Sequence, residues 1–245
     1  MNRINDHLMK YGYNLQYSLD DNLCSEALIN HLGKKGYKKF WNFVDRFANK
    51  NGPEGIEQVI RDYIGTDTRH LKILLSGQIL ISVMILEAII SSMQELKFQK
   101  NQELQILELG GYECWASDYI NCNEFNNSFI DVIDSNFNGP NANPNLRLIQ
   151  TNYETFNSGK QYDVVFTILG IHDTKIKILF DCIDRNATKD TVILLGLRVD
   201  KNDYNDIVDL FTANGYKAIN YPVKTIKVQN LGTGPETLPL FEFRK

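Results

Sequence analysis

The sequence predicts an α/β protein: an open, mostly parallel sheet with an all-helical segment in front of it. Three observations predict this. Short runs of Ile, Val and Leu, apolar on both faces, recur from residue 104 to 197, as strands covered by helices on both sides require. Segments with apolar residues at three- and four-residue spacing lie between or after them. Before residue 98 that helical spacing stands alone, without a strand signal.

In chain order, Ser25–His31 and Lys38–Asn49 show helical periodicity, the second carrying Phe40, Trp41, Phe43, Val44 and Phe47. The turn-rich NKNGPEG at 49–55 ends it, and Pro53 suits the first turn of another helix through Ile56, Val59, Ile60 and Tyr63. A strongly apolar helix is expected from about 70 to 97. Its run Ile73–Met93 could nearly span a bilayer, but Gln78, Glu87 and four serines point to burial within protein.

Strands are then expected at Leu104–Leu109, Phe129–Asp134, Leu146–Thr151, Tyr162–Leu169 and Thr191–Leu197. Helices are expected at Ala116–Phe125, Lys175–Asn186 and Asn202–Asn214, the last stopped by Gly215. Tyr216–Gln229 and Leu238–Arg244, joined by NLGTGPET, read as a closing hairpin. Two connections are thin. Residues 135–145 hold two prolines and five asparagines, and 152–161 is also short; a parallel crossover usually takes a dozen or more.

The 245 residues carry 43% hydrophobic and 23% charged side chains, which excludes a disordered chain. The net charge of −4 argues against a general nucleic-acid binder. Charge is uneven: residues 1–100 hold 13 Lys/Arg against 11 Asp/Glu, and residues 101–245 hold 13 against 19. With the helix-to-strand change this sets expected domains at 1–98 and 99–245. Cys24, Cys114, Cys122 and Cys182 have neither pair nor metal-ligand spacing, so neither a disulfide framework nor a metal site is expected. Met1–Lys10 is polar, without a secretory signal, and a cytoplasmic protein is the expectation.

In an open parallel sheet, ligands bind outside the carboxyl ends of the strands where the strand order reverses. Those ends read Glu108-Leu109-Gly110-Gly111-Tyr112, Asp134-Ser135, Thr151-Asn152-Tyr153 and Leu169-Gly170-Ile171-His172-Asp173. A carboxylate there can accept both hydroxyls of a ribose, and an amide can meet a base edge. Glu108 sits between Leu107 and Leu109, where a carboxylate is costly without a partner.

Over residues 72–245 these features resemble the class I S-adenosylmethionine-dependent methyltransferases. ILELGG at 106–111 resembles the family's first motif, FIDVID the strand ending in its ribose-binding acid, LRLIQTNYETF the adenine-contacting segment, and YDVVFTILGIH its fourth motif. The resemblance implies a Rossmann-like sheet of seven strands and S-adenosyl-L-methionine as cofactor. It implies cofactor contacts from Glu108, Gly110, Gly111, Tyr112, Asp134, Ser135, Asn152, Tyr153 and Leu169, and an acceptor site near His172 and Asp173. Tyr112 and Cys114 stand where the family's further glycines fall, and Glu108 to Asp134 spans 26 residues. A dinucleotide-binding dehydrogenase would need G-x-G-x-x-G, which GGYECW does not supply, and Glu113 would repel its pyrophosphate.

The expected reaction is methyl transfer to an O or N nucleophile of a small molecule or peptide, with His172 as general base. Transfer of an aminocarboxypropyl or carboxymethyl group, a non-catalytic binding role, and nucleic-acid methylation through the lysines of GKKGYKKFW at 33–41 are the alternatives. His7, His31 and His70 read as structural or exposed. Tyr11, Tyr13 and Tyr17 read as packing residues, with an aromatic lid as the alternative. The helical segment is expected to cover the acceptor, and is a possible homodimer contact; no membrane is expected as a partner.

Overall fold

The computed structural model describes residues 2–51, 63–65, 67–76, 79–111, 113–135, 143–168, 176–220, 222–230 and 234–245. Two compact units divide the chain: Met1–Ile81 with Asn230–Gly234, and Ser82–Gln229 with Pro235–Lys245.

The first unit is helical: α1 (Asn2–Lys10), α2 (Gln16–Leu19), α3 (Asp21–Asn51) and α4 (Thr68–Ser76), with α5 (Ile79–Glu95) beginning at its end. Gly33, at φ 71 and ψ 157, interrupts α3, a backbone that residues with a side chain rarely adopt. Phe40, Val44 and Ile64 form a core cluster flanked by Trp41, Leu71 and Leu74. Asp67 caps α4: its Oδ1 accepts the His70 N–H at 2.9 Å, and its Oδ2 meets His31 Nε2 at 2.7 Å. Ser76 Oγ accepts the Asn14 N–H at 3.0 Å, fixing the turn after α1. The single helix expected over 70–97 is instead α4 and α5. The helix expected after Pro53 falls largely on 52–62, outside the described residues. No single described helix is long and apolar enough to cross a membrane.

The second unit is a sheet with helices on both faces. Its strands are β1 (Gln105–Leu109), β2 (Phe129–Asp134), β3 (Leu146–Gln150), β4 (Val164–Ile168), β5 (Val192–Gly196), β6 (Lys217–Ala218), β7 (Lys224–Asn230) and β8 (Gly234–Arg244). The order is β3-β2-β1-β4-β5-β8-β6, with β7 paired to β8. β1 to β5 are mutually parallel, and β8 is antiparallel to β5 and β6. Seven strands were expected. The eighth arises because 216–229 divides into β6 and β7, with Pro222, which cannot donate to a ladder, between them.

Register assigns the faces. Leu107, Leu109, Asp131, Ile133, Val165, Ile193 and Leu195 share one face, packed against α7 (Ile176–Asn186) and α8 (Tyr204–Ala213). Ile106, Glu108, Val132 and Gly196 share the other. There Gly196 lets α5 approach closely: a Cβ on it would stand 2.1 Å from Ile85 Cγ2. On this face the buried Glu242 of β8 accepts from Ser92 of α5 and from Asn220.

The thin connections are real. β2 and β3 are parallel neighbours joined only by residues 135–145, and β3 reaches β4 across two intervening strands through 151–163, which contain no helix. About 3.3 Å per extended residue is ample reach for that crossing. Phe156 and Tyr162 bury themselves in the α7 side of the core as the segment passes. Asp131 of β2, facing that side, holds it: its carboxylate accepts from Tyr162 Oη at 2.7 Å, Lys160 Nζ at 3.1 Å and Arg147 in a fork at 2.9 and 2.6 Å. From α7, the Arg185 guanidinium donates to the Tyr153 and Phe156 carbonyls, and Asn186 Oδ1 accepts the Ser158 N–H at 3.0 Å.

Candidate functional site

The strand order turns between β1 and β4, and the crevice of such a sheet lies at their carboxyl ends. The β1–β4 pairing ends at Glu108 and Phe166, which leaves the Leu109 carbonyl beyond the ladder. Buried Thr167 of β4 supplies the missing donor, its hydroxyl meeting Leu109 O at 2.7 Å. Thr167 went unrecognised in the sequence, where it reads as one more β-branched strand residue.

Beyond Leu109 the chain turns sharply. Gly110 has φ 80, and its N–H donates to the Ile133 carbonyl at 2.8 Å, which draws the turn toward β2. Gly111 has no room for a side chain: a Cβ would lie 2.4 Å from Val132 Cγ1 and 2.7 Å from Glu108 Cδ. The Cys114 N–H closes the turn on the Gly111 carbonyl at 2.6 Å, and Cys114 itself is left-handed at φ 52. That is the position where the resembled family has glycine, and a side chain there carries roughly 1 kcal/mol of strain. Helix α6 (Trp115–Tyr119) follows and runs on as a π-turn through Ile120–Glu124.

Glu108 points into this corner. Only 3% exposed, it accepts the Ser117 hydroxyl of α6 at 2.5 Å and is also hydrogen-bonded by the Ser117 backbone. Burial nevertheless dominates and pushes its carboxyl up to about 7, with the nearby Asp134 carboxylate adding to the rise. Tyr153, from the segment after β3, has its hydroxyl raised above the usual range by burial first, then by Asp134, with Cys182 and Glu108 contributing further. Glu108 and Asp134, at the ends of β1 and β2, are thus within electrostatic reach of each other, and Tyr153, beyond β3 and packed against the α7 side of the core, feels both.

Among the other expected residues, Gly110 and Gly111 form the turn beside that group, and Asp134 closes β2, half-buried. Ser135 is exposed, its carbonyl accepting from Gln150 Nε2 at 3.1 Å. Asn152 is exposed, its carbonyl accepting the Phe156 N–H at 3.1 Å. Tyr112, Leu169, His172 and Asp173 lie outside the described residues. None of the four cysteines forms a disulfide, and no group of three or more described His, Cys, Asp or Glu residues is placed to hold a metal ion.

No protein family matches the sequence, and no curated protein does. Solved structures do match. The plantazolicin methyltransferase BpumL in complex with S-adenosylhomocysteine (SAH) aligns with a TM-score of 0.51 at 13% identity, over 84% of this chain and 99% of that one. A putative RNA methyltransferase from Pyrococcus horikoshii aligns at 0.49 and 9% identity, over 65% and 82%. Precorrin-6y C5,15-methyltransferase from Geobacter metallireducens aligns at 0.45 and 16%, over 65% and 89%. Likeness at such identity is likeness of backbone, and with the strand order above it settles the architecture: the chain has the Rossmann-like fold of the class I S-adenosylmethionine-dependent methyltransferases.

Proposed function

We propose that this protein is an S-adenosylmethionine-dependent methyltransferase acting on an oxygen or nitrogen nucleophile of a small molecule or peptide. The observation that carries the reading is the buried Glu108 packed against the Gly110–Gly111 turn, with Asp134 closing the neighbouring strand whose Ile133 carbonyl holds that turn, at the carboxyl ends of the strands. The donor set suits this cofactor. A cluster of carboxylates would repel a pyrophosphate but favours a cationic nucleoside that has none. BpumL, one of the methyltransferases whose backbone this chain resembles, was solved in complex with SAH.

In this reading Glu108, Gly110, Gly111 and Tyr112 face the methionine end, and an ionised Glu108 attracts its ammonium. Asp134 and Ser135 hold the ribose hydroxyls, and Asn152, Tyr153 and Leu169 the adenine. When bound, the sulfonium supplies an electrophilic methyl group for in-line displacement. The protein's part is chiefly to position. His172, with Asp173 beside it in sequence, takes the acceptor's proton as it becomes bonded to methyl.

A second reading, a non-catalytic binding protein on the same scaffold, draws on the Glu108–Ser117 bond and the side chains at Tyr112 and Cys114. Calorimetric titration with S-adenosylmethionine and SAH separates the two. Wild type is expected to bind both, and Asp134→Ala at least tenfold more weakly, about 1.4 kcal/mol. Heat from neither compound would overturn the enzyme reading. Product mass distinguishes methyl from aminocarboxypropyl or carboxymethyl transfer.

A further inference from the structure

The helical unit contains a cavity of about 650 Å³, within the range of small-molecule sites. Three walls form it. Leu23, Ala27 and Asn30 recur at helical spacing along one face of α3, and Arg69, Lys72 and Ile73 along one face of α4. The third wall is the turn after α1, with Tyr11, Tyr13 and Tyr17. Gly12 makes that turn at φ 83 and packs against the Lys72 stem: a Cβ there would stand 3.7 Å from Lys72 Cγ. The Lys72 ammonium lies 4.2 Å from the centre of the Tyr13 ring.

Two features point to an occupant. Met9 and Leu23, both lining the cavity, are 57% and 40% exposed, so large apolar side chains stand in water at its mouth. Among the described residues, the charged side chains of the lining are Arg69 and Lys72, three residues apart on one helix face, against Glu26 of α3. The excess is a single positive charge. A monoanion neutralises it, whereas a phosphate dianion would leave negative charge beside Glu26.

We propose that this cavity binds a small aryl carboxylate, its carboxylate on Arg69 and Lys72 and its flat apolar body against Tyr11, Tyr17 and Leu23. The planar guanidinium of Arg69 suits a carboxylate fork, and aromatic walls suit a ring. The assignment is independent of the cofactor reading, because every described residue of the lining belongs to the helical unit.

The test is an amide-resolved NMR titration of the full chain, without any nucleoside, using 2-naphthoate, 2-naphthol, 2-naphthylmethylammonium and 2-naphthyl phosphate. Naphthoate is expected to shift the Gly12, Tyr13, Arg69 and Lys72 amides with a Kd on the order of 1 mM, as its size allows. Arg69→Gln, at an exposed position, is expected to weaken it about tenfold with unchanged thermal unfolding, and Glu26→Gln to strengthen it. Absence of those shifts, binding of the ammonium, naphthol or phosphate as tight as naphthoate, or an unaltered Kd in Arg69→Gln would overturn the proposal.

Discussion

Replacing Glu108 with glutamine keeps an acceptor for the Ser117 hydroxyl and removes a charge that its surroundings resist. The wild-type carboxyl is raised from 4.5 to about 7, with desolvation outweighing both Ser117 hydrogen bonds. At about 1.4 kcal/mol per tenfold in proton affinity, ionisation costs the folded state about 3 kcal/mol. The sign follows from the direction. Below pH 4.5 the carboxyl holds its proton folded or unfolded and the cost is absent; it grows through the interval and is complete above about 7. Asp134 lies within electrostatic reach of the same carboxyl, and Tyr153 stays protonated throughout this range. The assay is urea unfolding at pH 5 and pH 8, followed by Trp115 of the sheet unit in a Trp41→Phe background. That background is mild, since the buried Trp41 indole N–H makes no hydrogen bond. Glu108→Gln should gain about 2–3 kcal/mol on wild type between the two pH values. Any constant penalty of the amide cancels in the difference. A stability gap identical at both pH values would refute the account of the corner.

Gly196→Ala forces a methyl to within 2.1 Å of Ile85 Cγ2 and should cost about 1–3 kcal/mol in urea unfolding of the sheet unit. Asp131→Asn removes the charge that Arg147, Lys160 and Tyr162 surround; because Arg147 and Lys160 are 53% and 39% exposed, the loss should be about 2 kcal/mol rather than the 3–5 of a fully buried pair. Those partners hold the Asp131 carboxyl below its usual 3.8 despite burial, so its contribution is full above that pH and fades as pH falls further; the two proteins' unfolding curves should converge in acid. Thr167→Val leaves the Leu109 carbonyl without the hydroxyl at 2.7 Å and should cost about 1–3 kcal/mol, with weaker SAH binding by calorimetry.

Five strands were legible to within two residues, four of them because a strand buried on both faces must be written in Ile, Val and Leu over a short span, and the edge strand β3 by Leu146, Leu148 and Ile149 alone. α8 was legible for a similar reason, with Ile207, Val208 and Phe211 buried on one side. α1 was not. Its buried face needs only Ile4, His7 and Leu8, and the rest of its polar residues drown that stripe in composition. At the site, Glu108 was legible because an acid amid leucines demands an explanation. Asp131 of FIDVID stands in the same kind of run, yet its meaning depends on Arg147 one strand away and on Tyr162 arriving by a crossing loop. Periodicity does not encode such register-dependent partners. The two carboxylates then part ways: cationic partners outweigh burial at Asp131, whereas at Glu108 two hydrogen bonds do not.

A crystal structure of the protein grown with S-adenosylhomocysteine tests the central claim most directly. The account predicts the nucleoside beside the Gly110–Gly111 turn, with both ribose hydroxyls on the Asp134 carboxylate and the amino group facing Glu108. A nucleoside lodged elsewhere, or a crevice filled by the protein's own side chains at saturating ligand, would contradict it.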